Sequence, residues 1–181
     1  MKKKDNIKLL VVVDMQTDFI NGVLGTEQAS KIVNNVVNKI NMWKGGIFAT
    51  QDTHFDDTYL NTREGKYLPV KHCLKNTYGW QLNPQVEKVL KAKNVIPIEK
   101  QNFASLPLIE IIKIFNDNFN VTEVQFIGLC TDICVISNVM LLKAMLPEIN
   151  ITVDSSCCAG VTPETHKAAL DTMKMCQVNI I

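Results

Sequence analysis

The chain lacks a charge imbalance. Its 19 lysines and arginines face 18 acidic residues, for a formal net charge of +1 over 181 residues. That removes the basic surface expected of a nucleic-acid binder or of a protein docked on an acidic membrane. No apolar run is long enough to cross a bilayer. The first residues, Met-Lys-Lys-Lys-Asp-Asn, are basic, yet no apolar stretch of secretory length follows before Asp14. We therefore expect neither a signal nor a span, a solvated basic end, and a cytoplasmic location. Internal repeats and low-complexity segments are missing as well. The six cysteines, Cys73, Cys130, Cys134, Cys157, Cys158 and Cys176, include no CxxC spacing of a zinc knuckle or a redox motif. They read as reduced thiols.

What is present is an ordinary globular composition, 46% apolar and 20% charged, in a chain long enough to bury one substantial core. We read residues 1–181 as a single domain. Residues 7–13 are a continuous apolar and β-branched run, the pattern of a strand buried on both faces. Thr26 and Glu27 open a helix to about residue 43, with Ile32, Val33, Val36, Val37 and Ile40 along one face. Gly45 and Gly46 end it, and residues 47–50 form a second strand. An irregular connection then runs to about residue 83; one so long inside a compact domain is more often functional than idle. Pro84 opens a helix to residue 91. Residues 95–98 read as a third strand ending in Glu99 and Lys100, and Pro107 opens a helix to about residue 115. A fourth strand over 122–127 leads into a helix to residue 145. A strand over 149–153, a helix over 163–175 and a terminal strand over 177–181 complete the chain. Strand and helix alternate, so the expected fold is α/β: three α/β/α layers around a mainly parallel six-stranded sheet.

In such sheets ligands bind beyond the carboxyl ends of the strands. The first strand delivers Asp14 there, the second Asp52 and His54, the third Lys100 and the fourth Cys134. Taken singly, Asp14 reads as a turn cap, Lys100 as a surface lysine and Cys134 as a small packing residue. Buried strands have no structural need for an acid, a lysine and a thiol on one rim, so the combination argues for chemistry. Gly-Leu-Cys-Thr-Asp-Ile-Cys-Val at residues 128–135 reads as a strand-to-helix turn, the strand breaking at Gly128 and a helix restarting near Asp132. Cys134 then falls in a first helical turn, where unpaired N–H groups and the helix dipole favour a thiolate. The N–H groups of Cys130 and Cys134 are the candidates to hold the oxygen of a tetrahedral intermediate. Lys100 would steady the thiolate, and Asp14 would take the thiol proton and pass it to a leaving group. Acyl transfer from a small amide follows.

Asp52-x-His54, with His72 further along the connection, offers two imidazoles and a carboxylate, a set suited to a divalent transition metal with positions left open. Glu64, lying between the histidines, is a further candidate ligand; solvated loop histidines are the plainer reading. Cys73 reads as a packing or supporting neighbour of His72, and His166 as structural or exposed. Phe19 and Trp80 are candidates to wall a flat substrate, with core packing the plainer reading for each.

These stretches resemble a known family. Val-Val-Asp-Met-Gln-Thr-Asp-Phe at residues 12–19 is similar to the opening motif of the isochorismatase-like cysteine hydrolases. Thr-Gln-Asp-Thr-His at 50–54 resembles the metal-ligand segment of the nicotinamidase branch. Leu-Pro-Val-Lys-His-Cys at 68–73, leading to Thr77-Tyr78-Gly79, resembles that branch's segment for the last ligand histidine. Glu99-Lys100-x-x-Phe103 matches the catalytic lysine stretch, and Gly128-x-x-Thr131-Asp132-x-Cys134-Val135 the nucleophile motif. The stretch after Lys100 departs from the usual Ser-Ala-Phe-like pattern, and the spacing from His54 to His72 differs from that of several relatives. The resemblance implies an Asp14–Lys100–Cys134 triad and a cis peptide at Leu129–Cys130. It also implies zinc, iron or manganese on Asp52, His54 and His72, with Glu64 added in some members, where the metal holds the ring nitrogen of the substrate. The implied reaction turns nicotinamide into nicotinate and ammonia through a cysteine thioester, a step of NAD salvage, and relatives commonly form homo-oligomers. The alternatives are a related amidase for another small amide with a vestigial metal site, and a non-catalytic module with Cys134 as a redox-sensing thiol. Vinyl-ether hydrolysis, the isochorismatase reaction, needs no thiol nucleophile.

Overall fold

The computed structural model describes residues 5–181; Met1 to Lys4, most of the basic end, lie outside the described residues. Strands β1 (Asn6–Val13), β2 (Gly46–Asp52), β3 (Ile98–Lys100), β4 (Asn120–Leu129), β5 (Ile151–Ala159) and β6 (Asn179–Ile180) form one sheet in the order β3-β2-β1-β4-β5-β6. Every pairing between these strands is parallel. The helices are α1 (Thr17–Ile20), α2 (Glu27–Met42), α3 (Arg63–Tyr67), α4 (Pro84–Ala92), α5 (Leu106–Asn118), α6 (Ile136–Met145) and α7 (Pro163–Met175).

The alternation along β1 explains the layers. Leu10 and Val12 enter one core with Ile32, Val36 and Ile40 of α2 and Val86 and Leu90 of α4. Leu9, Val11 and Val13 enter the other, with Leu108 and Ile112 of α5, Val139 and Leu142 of α6 and Met173 of α7. A strand covered on both faces has no polar side to spare, and each fully buried aliphatic side chain contributes about 1.5–3 kcal/mol. Cys157 and Cys158 fall on opposite faces for the same reason. The helix starts are capped locally. Thr26 accepts from the Ala29 N–H at 3.0 Å, and Thr162 and Thr165 form a reciprocal box at the start of α7.

Four differences from the sequence reading bear on the site. The third strand begins only at Ile98, because Pro97 has no N–H for the ladder, and Ile96 is 87% exposed. Strand β5 continues through the polar Asp154, Ser155 and Ser156 to Ala159, pairing Cys158 with Gly128. The long connection is partly folded, with a 3-10 turn over Tyr59–Asn61, the short helix α3, and a bridge from His54 to Leu74. Strand β4 does not break at Gly128 but reaches Leu129. The Leu129–Cys130 peptide is cis, as the resemblance implied, and Thr131–Val135 form one π-helical turn before α6. All six cysteines are free, and no described helix is long and apolar enough to cross a membrane.

The strand order also decides where a ligand could sit. The chain turns from building one side of the sheet to the other between β1 and β4, and this switch point is where the ends of neighbouring strands leave a crevice. Gly128 allows the two strands to close there. Its φ is +117°, and a Cβ would stand 2.1 Å from the Val13 carbonyl oxygen. Gly128→Ala should therefore cost about 2–4 kcal/mol, combining backbone strain with the clash. A urea titration reads it as a lowered midpoint, and an unmoved midpoint contradicts the packing described.

Candidate active site

Asp14 follows the last residue of β1 with φ at +45°, a left-handed conformation that aspartate tolerates better than β-branched residues do. This turn aims its carboxylate along the sheet. Oδ1 accepts from Thr50 Oγ1 of β2 at 2.7 Å, and Oδ2 stands 2.8 Å from Lys100 Nζ. Lys100 ends β3. Its Nζ also lies 3.0 Å from Asp52 Oδ1 at the end of β2 and 3.6 Å from Cys134 Sγ after β4. None of these four residues is more than 5% exposed. The structure thus brings together the acid, the ammonium and the thiol that the sequence placed on one rim.

Their charges follow from that burial. Desolvation alone would pull the Lys100 ammonium down, but Asp14, Cys134 and Asp52 together lift it well above the usual lysine range, so it stays charged. Burial pushes the Asp14 carboxyl up, with Lys100 pulling it back and Asp52 adding to the rise. Burial also pushes the Cys134 thiol well up. Lys100 opposes this, while Asp14 and Asp52 add to it. The sequence reading expected a thiol that ionises easily at a helix start. Instead Cys134 sits in a π turn under nearly complete burial, which outweighs Lys100 and holds the thiol above its ordinary range.

Beside this group lies a four-donor cluster. Asp52 Oδ2 is 2.9 Å from His54 Nε2 and 3.8 Å from His72 Nε2. Glu64 Oε1, carried by α3, is 3.7 Å and 3.5 Å from the same two nitrogens. Donors held about 2.0–2.2 Å from one centre, as around zinc, stand roughly 3.3–3.6 Å apart when tetrahedral, so the set fits a divalent ion. Two further observations support the fit. His54 Nε2 is buried without a hydrogen bond. His72 Nδ1 lies 2.9 Å from the Val70 carbonyl and 3.3 Å from the Tyr59 hydroxyl, contacts that leave Nε2 free to ligate. The Tyr59 hydroxyl donates to the Leu68 carbonyl at 2.8 Å, and burial, with Glu64 and Asp52, holds that phenol up at about 12.

The four-donor cluster lines a cavity of about 990 Å³, and Cys134 opens onto it while Asp14 and Lys100 stand behind its wall. Phe19 lines it, its ring 5.6 Å from that of His72, and so do Phe103, Ile133, Cys130 and Cys134. Trp80 is a correction: it does not line the cavity but stands behind Thr53, which does, its indole N–H donating to Thr53 Oγ1 at 2.9 Å and its ring packed against the core that includes the α2 face. Phe103 supplies the aromatic wall instead. Cys73 packs, fully buried, with its N–H donating to Asp18 Oδ2 at 2.7 Å, and His166 Nδ1 stands 2.8 Å from Thr131 Oγ1 in the π turn.

Sequence reasoning missed the supports. Gln16 holds both main-chain groups of Asp52, donating to its carbonyl at 2.8 Å and accepting from its N–H at 2.7 Å. Thr50 orients Asp14, and Tyr59 orients His72. Gln16 and Thr50 lie inside the first two family-like motifs, but a neutral polar residue gives no signal until its partner is known.

The isochorismatase domain model matches residues 8–181. The chain belongs to the isochorismatase family of hydrolases. It is 24% identical to the nicotinamidase of Saccharomyces cerevisiae, over 97% of this chain and 99% of that one. The nicotinamidase/pyrazinamidase of Bacillus subtilis has the same fold, with a TM-score of 0.82 at 24% identity over 96% and 98% of the two chains. A pyrazinamidase of Pyrococcus horikoshii, solved in complex with zinc, superposes with a TM-score of 0.76 at 26% identity over the same shares.

A buried thiol held above its ordinary range has a distinctive pH response. A raised pKa means that less thiolate is present at neutral pH than in a free cysteine, whose ordinary value here is 9.0. Iodoacetamide should label Cys134 in the resting protein more slowly than free cysteine at pH 7, with an inflection above 9.0 when followed by peptide mass mapping. An inflection below the free-cysteine value contradicts these electrostatics.

Proposed function

We propose that this chain is a metal-dependent cysteine amidohydrolase that converts nicotinamide and water to nicotinate and ammonia, a reaction of NAD salvage. The observation that carries the reading is Lys100 Nζ standing 2.8 Å from Asp14 and 3.6 Å from the Cys134 sulfur, next to a four-donor cluster on the same cavity. Likeness to proteins named nicotinamidase and pyrazinamidase supports the substrate.

In this mechanism Asp14 accepts the Cys134 proton as the sulfur attacks the amide carbonyl. Burial, which raises the Asp14 carboxyl, makes it a stronger base than a solvated carboxylate and a competent acid for the next step. Lys100 keeps its charge throughout and stabilises the thiolate as it forms. The N–H groups of Cys130 and Cys134 receive the oxyanion, a contribution of about 10²–10³-fold per donor. Asp14 then returns the proton to the leaving nitrogen, the C–N bond breaks, and ammonia departs. Water attacks the thioester, losing a proton to Asp14; the C–S bond breaks, Asp14 passes that proton to the departing sulfur to restore the thiol, and the acid product leaves as nicotinate after losing its own proton to solvent. Asp52, His54, Glu64 and His72 would hold the cation. When bound, it supplies a Lewis-acid anchor for the ring nitrogen. Phe19 and Phe103 flank the flat ring with apolar surface.

The parent protein loaded with zinc should release ammonia from nicotinamide, and a chelator should abolish the release. Cys134→Ala should remove turnover entirely while leaving the circular dichroism spectrum unchanged. Appreciable ammonia release by that variant would remove Cys134 as nucleophile. Turnover of other amides but not of nicotinamide would overturn the substrate assignment.

A further inference from the structure

Asn138 has no part in the acyl transfer, yet it is fully buried on α6, one turn beyond Cys134. Its Nδ2 donates to the Cys134 carbonyl at 2.8 Å and to the Phe103 carbonyl at 3.1 Å. Its Oδ1 accepts from the Ser105 N–H at 2.9 Å. Both amide protons and one acceptor position are therefore used, and every partner is a main-chain group. One bond is local to the helix. The other two cross to the connection between β3 and α5, which carries Lys100 at its start and Phe103 at the cavity wall. Ser105 in turn caps α5, its hydroxyl accepting from the Leu108 N–H at 3.3 Å.

The cavity gives this tie a consequence. At about 990 Å³ it is at the upper end of the ~300–1,000 Å³ usual for drug-sized ligands, far more than a one-ring amide fills. Volume alone would admit a substituted ring, so selection by size needs an edge held at a fixed distance from the nucleophile. Phe103 is that edge. Its side chain is 46% exposed and lines the cavity, but its carbonyl is held by the same amide that holds the Cys134 carbonyl.

We propose that Asn138 is a positioning residue that sets substrate size selectivity by fixing Phe103 relative to Cys134. This rests on the amidase reading. Aspartate at this position would keep the acceptor for Ser105 but present negative charge to two carbonyls, and alanine would release all three groups. In either case the Phe103 edge loses its hold and larger rings gain access to the thiol.

The test compares kcat/KM for nicotinamide and for a phenyl-substituted nicotinamide on one preparation of each variant. Their ratio does not depend on the folded fraction, so a merely structural role would leave it unmoved. Asn138→Ala and Asn138→Asp should each shift the ratio about tenfold toward the larger amide, within the range that small misplacements of a substrate-positioning group produce. Phe103→Ala, at an exposed side chain that should tolerate truncation, should shift it the same way. A ratio equal to the parent's in the Asn138 variants overturns the proposal even if Phe103→Ala moves it. An unmoved ratio in Phe103→Ala overturns it whether or not the Asn138 variants fold. Absence of ammonia release in the parent would instead count against the amidase reading itself.

Discussion

One buried ammonium holds the site together. Lys100 Nζ touches Asp14, Asp52 and Cys134, which leave β1, β2 and β4. A charge in that setting is tolerable only when paired, and removing one partner of such a pair typically costs about 3–5 kcal/mol. The two carboxylates satisfy this need; Lys100 in return opposes the rise that burial imposes on Asp14 and, with His54, helps hold Asp52 below its ordinary range. The arrangement also divides the labour. Asp14 gives its oxygens to Thr50 and Lys100, while Asp52 gives one oxygen to Lys100 and the other to the histidine cluster. The residues proposed for acyl transfer and those proposed to hold a cation are thus electrostatically joined at Asp52.

The sheet makes this convergence inexpensive in backbone terms. Strand β1 lies between β2 and β4, with β3 beyond β2, so groups at the carboxyl ends of all four strands open onto one crevice. Gly128 allows the closest approach, and Asp14 turns out of its strand in a left-handed conformation. Polar side chains then fix the main chain around the charges: Gln16 the end of β2, Thr50 the Asp14 carboxylate, Asn138 the nucleophile turn.

Much of this was legible in the sequence because the signals are one-dimensional. Apolar runs located the strands, with the start of β3 and the end of β5 misplaced, and the ionisable residues following the first four runs named Asp14, Asp52, His54, Lys100 and Cys134. The candidate ligands His72 and Glu64 came from resemblance and spacing, since a loop has no period to read. What failed depends on partners distant in the chain. Trp80 looked like a pocket wall because an aromatic in a functional loop often is one, but its indole found Thr53. The π turn could not be told from an α-helical start, since the two differ by one residue in hydrogen-bond reach. Helix α3 is a single turn begun by Thr62, whose hydroxyl accepts from the Gly65 N–H at 2.9 Å, too short to show periodicity. The ease of ionisation expected of Cys134 came from its local turn, whereas burial and two carboxylates contributed by other strands decide its state.

Lys100 serves the thiol, and the histidine cluster, though joined to it through Asp52, keeps its cation without the ammonium. Replacing it in Lys100→Gln and measuring bound zinc and ammonia release together tests this most directly. The account predicts parental zinc stoichiometry with turnover lowered at least ~10²-fold, the scale of a lost electrostatic or proton-transfer contribution. Turnover at the parental rate, in a variant that still binds its zinc, would contradict it.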